Sequence, residues 1–265
     1  KFAKEQKTRA EIKEILEGED EVTDDRMAEA ISKISEIGKS DLAHYVFNRK
    51  NVLNAFIKLL KRRDDGKGNL EKDVHNLIFP MGRDSENTEY HEHNLWLLDE
   101  RLVFSEYIAS DTKISKKKDA LLEPDLIVFD QKQSFRNGDN NLSNPLTIFE
   151  FKRPKRESYN DGDDPILQIG NYLEKIRAGK YEMPEGLEPI KVNDNTPVYA
   201  FVVCDLKDRI HDFAKRHQLT LSPDQEGYFG FHRGYNMYVE VISFKKMIDD
   251  AILRNKIFFR KLKIE

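Results

Sequence analysis

The sequence predicts an α/β protein, with a central mixed β-sheet flanked by helices and a helical arm in front of it. Three observations carry that prediction. Helical periodicity runs without β-like alternation up to the turn Asp64-Asp65-Gly66-Lys67-Gly68. Beyond the turn, short apolar runs rich in Val, Ile and Phe recur, at about 124–130, 146–152 and 197–204. Helical patterns separate the later runs, which is the alternation expected of a sheet with helices packed on it.

Taken in order, Ile12, Ile15 and Leu16 mark a first amphipathic helix. Met27, Ile31 and Ile34 mark a second, capped by Thr23 or Asp24 and ended near Gly38. Ser40 or Asp41 then opens a long helix through Leu42, Val46, Leu53, Phe56 and Leu60. The turn near residue 66 divides the chain into a helical arm, 1–66, and a larger domain, 67–265. In that domain Asn69 caps a helix carrying Glu71, Val74, His75 and Ile78, which Pro80 ends. A polar loop from Gly82 to Asn94 leads to Leu95-Trp96-Leu97-Leu98. Two strands follow, joined by an Asn/Gly/Asp/Ser-rich excursion of the hairpin kind. A helix from Pro165 to Ala178, a strand, a helix at about 206–217 and a strand pair near Tyr228–His232 and Met237–Phe244 come next. The last helix has Ile248, Ala251, Ile252, Phe259 and Leu262 on one face.

Composition limits what such a domain can do. With 38% hydrophobic and 35% charged residues over 265 positions, a core is attainable under a densely charged surface. A net charge of -4 speaks against a passive DNA-binding module, but not against an enzyme whose acidic metal ligands offset local Lys and Arg. The single cysteine, Cys204, excludes an internal disulfide and reads as a buried thiol in a reducing, cytoplasmic setting. No apolar stretch approaches the ~20 residues that span a bilayer, so no membrane partner is expected. No phosphate-binding Gly-rich loop with Lys and Ser/Thr, and no nucleophile elbow, is present. His91-Glu92-His93 imitates a metal cluster but lies in a polar loop without cysteine or helical spacing, and is not read as a zinc site.

The chemistry is carried by charges where strands should be apolar. In Leu146-Thr147-Ile148-Phe149-Glu150-Phe151-Lys152, alternation puts Ile148, Glu150 and Lys152 on one face. Glu150 and Lys152 then stand about 7 Å apart near the strand end. Asp125 precedes the partner run Leu126-Ile127-Val128-Phe129. If the two strands pair antiparallel with Asp125 opposite the end of the other, two carboxylates and an ammonium converge. Such carboxylates bind Mg²⁺ or Mn²⁺ through oxygen, and the ion holds a phosphate and acidifies a water. Lys152 would orient that water or neutralise charge developing on the phosphate. Arg153, Lys155 and Arg156 extend a basic run suited to flanking phosphates.

Pro124-Asp125, a gap, then Glu150-Phe151-Lys152 resembles the signature of the PD-(D/E)XK nuclease superfamily. The resemblance implies a restriction-endonuclease-like sheet and metal-dependent hydrolysis of DNA phosphodiester bonds. It also implies a helix before the strands that supplies a further acidic ligand, and Glu71 sits where that residue belongs, making Asp125, Glu150 and Glu71 the metal set. His75, on the same side of that helix, reads as a packing or hydrogen-bonding residue. Gln168-x-x-x-Tyr172 is similar to the helix motif of the RecB and λ-exonuclease branch, where Gln and Tyr orient the active site or the DNA.

Shorter motifs extend the likeness. Tyr45-Val46-x-x-Arg49-Lys50, His75-x-x-Ile78-Phe79-Pro80, Leu95–Arg101 and Glu150–Pro154 resemble the nuclease-like region of bacterial anti-phage proteins. Shedu-type nucleases are one such group, and another places this region behind a GHKL ATPase. A chain that starts at Lys1 rather than Met suits a piece of a longer protein, with an upstream ATPase domain and a homo-oligomer as expected partners. The rival expectation is a catalytically inactive nuclease-like module that binds nucleic acid or mediates assembly.

Overall fold

A computed structural model describes residues 6–8, 10–13, 24–61, 70–105, 107–111, 124–129, 145–179 and 192–264. The expected boundary at residue 66, the end of the first helix at Ile15 and Leu16, and most of the excursion between the two strands lie outside these residues. The chain divides into two compact units, one of Lys1–Asn54 with Arg254–Glu265, the other of Ala55–Leu253.

Residues 6–8 and 10–13 are helical. Helix α1 then runs unbroken over Asp24–Lys61, so the two helices expected on either side of Gly38 are one. Ser40 and Asp41 offered a cap, but nothing among the described residues lies within 4 Å of where a Gly38 Cβ would stand, and a mid-helix glycine costs only about 1 kcal/mol relative to alanine. Continued periodicity prevails over a weak local break. In the first unit, Arg49 Nη1 donates to Asn255 Oδ1 at 3.1 Å, and Lys50 sits over the Phe259 ring at 5.1 Å.

The second unit is a mixed α/β structure with a seven-stranded sheet flanked by helices. Helix α2 spans Leu70–Ile78. Leu95–Leu97 forms a 3-10 turn whose residues are all buried. Strands β1 (Tyr107–Ser110), β2 (Leu126–Phe129) and β3 (Leu146–Phe151) follow. Then come helix α3 (Pro165–Arg177), β4 (Val198–Cys204), α4 (Asp208–Arg216), β5 (Thr220–Leu221), β6 (Gly227–His232), β7 (Met237–Ser243) and helix α5 (Phe244–Leu262), whose residues from Arg254 on are counted in the first unit. The strand order is β1-β2-β3-β4-β7-β6-β5. Strands β3, β4 and β7 are mutually parallel and the outer pairings are antiparallel. Strands β1 and β5, at the two edges, had no counterpart in the sequence pattern. Four residues and two residues are too short to show a period, and neighbouring strands hold them in place.

One face of the sheet carries Ile127, Ile148, Ala200, Val202, Val239 and Val241, covered by Ile166, Ile169, Leu173 and Ile176 of α3 and by Ile210, Phe213 and Ala214 of α4. On the other face Phe149 stacks on Phe201 at 5.0 Å, and Phe151 meets the His75 ring of α2 edge-on at 5.4 Å. The end helix differs from its expected face. Ile248, Ala251 and Phe259 are buried, but Asn255 joins them while Leu262 is exposed. Among the described residues no helix is long and apolar enough to cross a membrane.

Candidate active site

The register decides what the strand ends bring together. Leu126 pairs with Phe149 across the antiparallel β2–β3 ladder, so Asp125, one residue earlier, comes opposite Glu150. Asp125 is anchored through both ends of its side of the chain. Its Oδ2 accepts the Phe151 N–H at 2.6 Å. Its carbonyl lies 2.7 Å from His75 Nε2 and also accepts the Asp111 N–H at 3.3 Å. His75 Nδ1 lies 3.1 Å from the Phe79 carbonyl. The histidine is thus a buried bracket between α2 and the start of β2, in keeping with its expected hydrogen-bonding role, and burial holds its imidazole below its ordinary pKa.

Glu150 and Lys152 point to the same face and are 5% and 6% exposed, so neither is an ordinary surface charge. Lys152 Nζ donates to Glu150 Oε1 at 2.7 Å and to Gln168 Oε1 on α3. The second oxygen of Glu150, Oε2, is buried and has no hydrogen-bond partner among the described residues. The Tyr172 hydroxyl faces Glu150 closely enough to pull its carboxyl down, against the larger rise from burial. An ionised carboxylate oxygen left unmatched in the interior costs several kcal/mol unless something else approaches it.

The electrostatics agree. Burial, and then the charge of Glu150, push the Asp125 carboxyl well above its ordinary value even though part of the residue remains open to solvent. Burial also raises Glu150, more than Lys152 lowers it, and Glu71 adds to the rise. Glu71 is half-buried in the first turn of α2, where it accepts a backbone hydrogen bond from Arg153. Burial raises it too, against the opposing charges of Lys152, Arg156 and Arg153. Burial and the nearby carboxylates drive the Tyr172 phenol far above its usual range, so it stays protonated. Lys152 contacts Glu150 alone of these carboxylates, while the charge of Glu71 reaches both Asp125 and Glu150, and the repulsion among the three is what a divalent cation would relieve.

The donor set suits a hard cation on those grounds: oxygen ligands, uncompensated negative charge and an orphaned carboxylate oxygen. Mg²⁺ typically takes one or two carboxylates and completes its shell with water and phosphate oxygens. Asp125 and Glu150 are the residues that would hold it. Among the described residues, no group of three or more His, Cys, Asp and Glu side chains is arranged to enclose a metal by itself.

The basic run has a less open arrangement than its sequence suggests. Arg156 pairs with Asp163 Oδ2, donates from Nε to the Ser158 carbonyl at 2.9 Å, and lies over the Tyr159 ring at 4.4 Å. Lys155 is exposed, with positive φ, and its backbone N–H is held by Asp205 Oδ2 at 2.6 Å. Arg153 is half-buried. Cys204, near Lys152, is fully buried, and burial pushes its thiol up to about 12, an inert group.

Sequence reasoning missed one polar cluster beside this site. Asp164, the N-cap of α3, bonds His217, which bonds His232. The Asp164-Pro165 cap signal was visible in the sequence, but the two histidines come from separate elements with no telling spacing. Compared with known proteins, the chain matches no family model, no curated protein and no solved structure.

Proposed function

We propose that the protein is a Mg²⁺- or Mn²⁺-dependent nuclease of the PD-(D/E)XK type that hydrolyses DNA phosphodiester bonds. The observation that carries this reading is Glu150 Oε2, a buried carboxylate oxygen without a hydrogen-bond partner among the described residues, beside a second carboxyl raised by burial and by Glu150 itself. A bound divalent ion would polarise the scissile phosphate and acidify a water. Asp125 and Glu150 hold their oxygens ready for that ion, and Glu71 adds negative charge from α2. Lys152 is fixed by Glu150 and Gln168, so it can orient the attacking water or meet charge developing on the phosphate without reorganising. Tyr172 stays neutral and closes the far side of Glu150. Arg153 and Lys155 face the phosphates on either side of the scissile one, and Arg156 joins them by exchanging Asp163 for phosphate.

The placement of this activity in phage defence, behind an upstream ATPase and in a homo-oligomer, is part of the same proposal and rests on the short motifs alone. A second reading, a nuclease-like module that binds nucleic acid without cutting it, is favoured by one observation: the described residues include no three-ligand group that encloses a metal. Incubating linear and circular DNA with Mg²⁺ and the wild type, Asp125→Ala or Lys152→Ala separates them. Cleavage by the wild type that both variants lose supports the enzyme. Equal cleavage by all three removes the site assignment, and DNA binding without cleavage favours the module.

A further inference from the structure

The turn between β6 and β7 grips α3 at three points along its length. At the N-terminal end, Asp164 Oδ1 accepts the N–H groups of Ile166 and Leu167 at 3.0 and 3.2 Å, while its Oδ2 lies 2.9 Å from His217 Nε2. His217 Nδ1 is 3.0 Å from His232 Nε2, and His232 Nδ1 accepts the Tyr235 N–H at 3.2 Å. In the middle, the Tyr235 ring lies against Gly170 so closely that a Cβ there would overlap it. In the last turn, Arg177 Nη1 donates to the Tyr235 carbonyl at 2.8 Å. The Tyr235 ring also stacks on His232, with centroids 4.7 Å apart.

The hydrogen-bond chain closes in one direction only. Tyr235 N–H occupies His232 Nδ1, so a neutral His232 carries its proton on Nε2 and gives it to His217 Nδ1. His217 then carries its own on Nε2 and gives it to Asp164. A further proton on either imidazole puts two donors face to face and breaks a link. The surrounding charges do not replace that link. Arg216 of α4 stands 3.8 Å from Asp164 Oδ2 and is shared with Asp161. Glu174 of α3 acts on the Tyr235 phenol, and Arg177 reaches Asp194. Burial, and then His217, hold His232 below its ordinary value of 6.5. The contribution of a neutral His232 is therefore fully present above its ordinary value of 6.5 and is lost as pH falls through its lowered folded value.

What α3 carries gives the grip its consequence. The Asp164 carbonyl accepts the Gln168 N–H at 3.0 Å, and Gln168 in turn receives Lys152 Nζ. Tyr172 follows one turn later, beside Glu150. We propose that His217, His232 and Tyr235 are positioning residues that set α3, and through Gln168 and Tyr172 the lysine and glutamate of the site, and that proton uptake by His232, whose Nδ1 accepts the Tyr235 N–H, releases this setting. The inference rests on reading the Glu150–Lys152 cluster as a nuclease site, and it deepens that reading by adding a built-in acid sensitivity.

The test combines amide hydrogen exchange of α3, corrected for intrinsic rate and referred to β3, with kcat and KM for DNA cleavage by the full chain. In the wild type, α3 opening increases about fivefold between pH 7 and 5.5, the worth of one lost hydrogen bond. His217→Leu shows the increased opening already at pH 7, with kcat lower by about 100-fold and KM little changed, as a misplacement of about 1 Å would give. His217→Gln, whose amide can donate to Asp164 and accept from His232, restores kcat at pH 7 and shows a smaller change with pH. Gly170→Ala, which displaces Tyr235 without touching an imidazole, lowers kcat in the same way as His217→Leu. Wild-type kcat in His217→Leu and Gly170→Ala, or an unchanged pH dependence of exchange in His217→Gln, overturns the proposal. If the wild type cleaves no DNA, the nuclease reading falls, and the exchange measurements still decide whether the turn sets α3.

Discussion

Two buried polar clusters share helix α3, and they differ in one respect. Around Asp164 both side-chain oxygens are matched: helix N–H groups on one, His217 on the other. Burial pushes this carboxyl up, but His217 and the N–H groups of Leu167 and Ile166 outweigh it, and it ends below its ordinary value. Around Glu150 the balance is reversed. One oxygen has Lys152, the other has no hydrogen-bond partner among the described residues, and both Glu150 and Asp125 end above their ordinary values. Asp164 is 1% exposed and Glu150 5%, so depth does not separate them. Completeness of partners does. The first cluster is satisfied within the fold; under the proposed function a cation and a substrate would complete the second.

That contrast can be broken first at the level of activity. Glu150→Gln removes the charge while keeping the shape, and DNA cleavage with Mg²⁺ should fall by about 1,000-fold, in the range seen when a single preorganised electrostatic partner is lost. Stability should respond in opposite senses at the two clusters. Asp164→Asn breaks a matched buried acceptor and should lower the unfolding free energy by about 2 kcal/mol in denaturant titration. Asp125→Asn keeps an oxygen for the Phe151 N–H and removes repulsion from Glu150, and should raise it by about 1 kcal/mol in metal-free protein. A loss of stability in Asp125→Asn would mean that the carboxylates at this site are satisfied after all.

The pH dependence follows from the same signs. A carboxyl whose folded pKa is raised favours the folded state most when protonated. The contribution of Asp125 and Glu150 is therefore fully present below their ordinary values of 3.8 and 4.5 and is lost as pH rises through the raised folded values. Asp164 behaves oppositely, its contribution present above 3.8 and lost as pH falls through its lowered value. Thermal melts of metal-free wild type and Asp125→Asn should accordingly diverge as pH rises from about 4 toward neutrality. The smallest effect belongs to the rim. Lys155→Ala should weaken DNA binding uniformly over sequences and reduce the slope of log affinity against log salt by about 1.

How much of this was legible in the sequence depends on whether the determinant was local. Strands β2, β3, β4, β6 and β7, helices α2 and α3, and the convergence of Asp125, Glu150 and Lys152 followed from alternation over a few residues, because the period of a strand fixes its faces. The Lys152–Gln168 contact was indicated only by order along the chain and needed α3 to fold back over β3. The edge strands were illegible, being too short for a period. The Asp164–His217–His232 chain was illegible for another reason: its members lie on α3, at the end of α4 and on β6, and only tertiary structure aligns them. Gly38 misled in the opposite direction, since a local break signal of about 1 kcal/mol is easily overridden in a helix of 38 residues.

The proposal that Glu150 and Asp125 form an oxygen site for a divalent cation is tested, without reference to any substrate, by direct measurement of Mn²⁺ binding by calorimetry. The wild type should bind Mn²⁺ saturably, more tightly at pH 8 than at pH 6, with binding abolished in Glu150→Gln and in Asp125→Asn and retained in Asp164→Asn. Mn²⁺ affinity that is the same in wild type, Glu150→Gln and Asp125→Asn would contradict it.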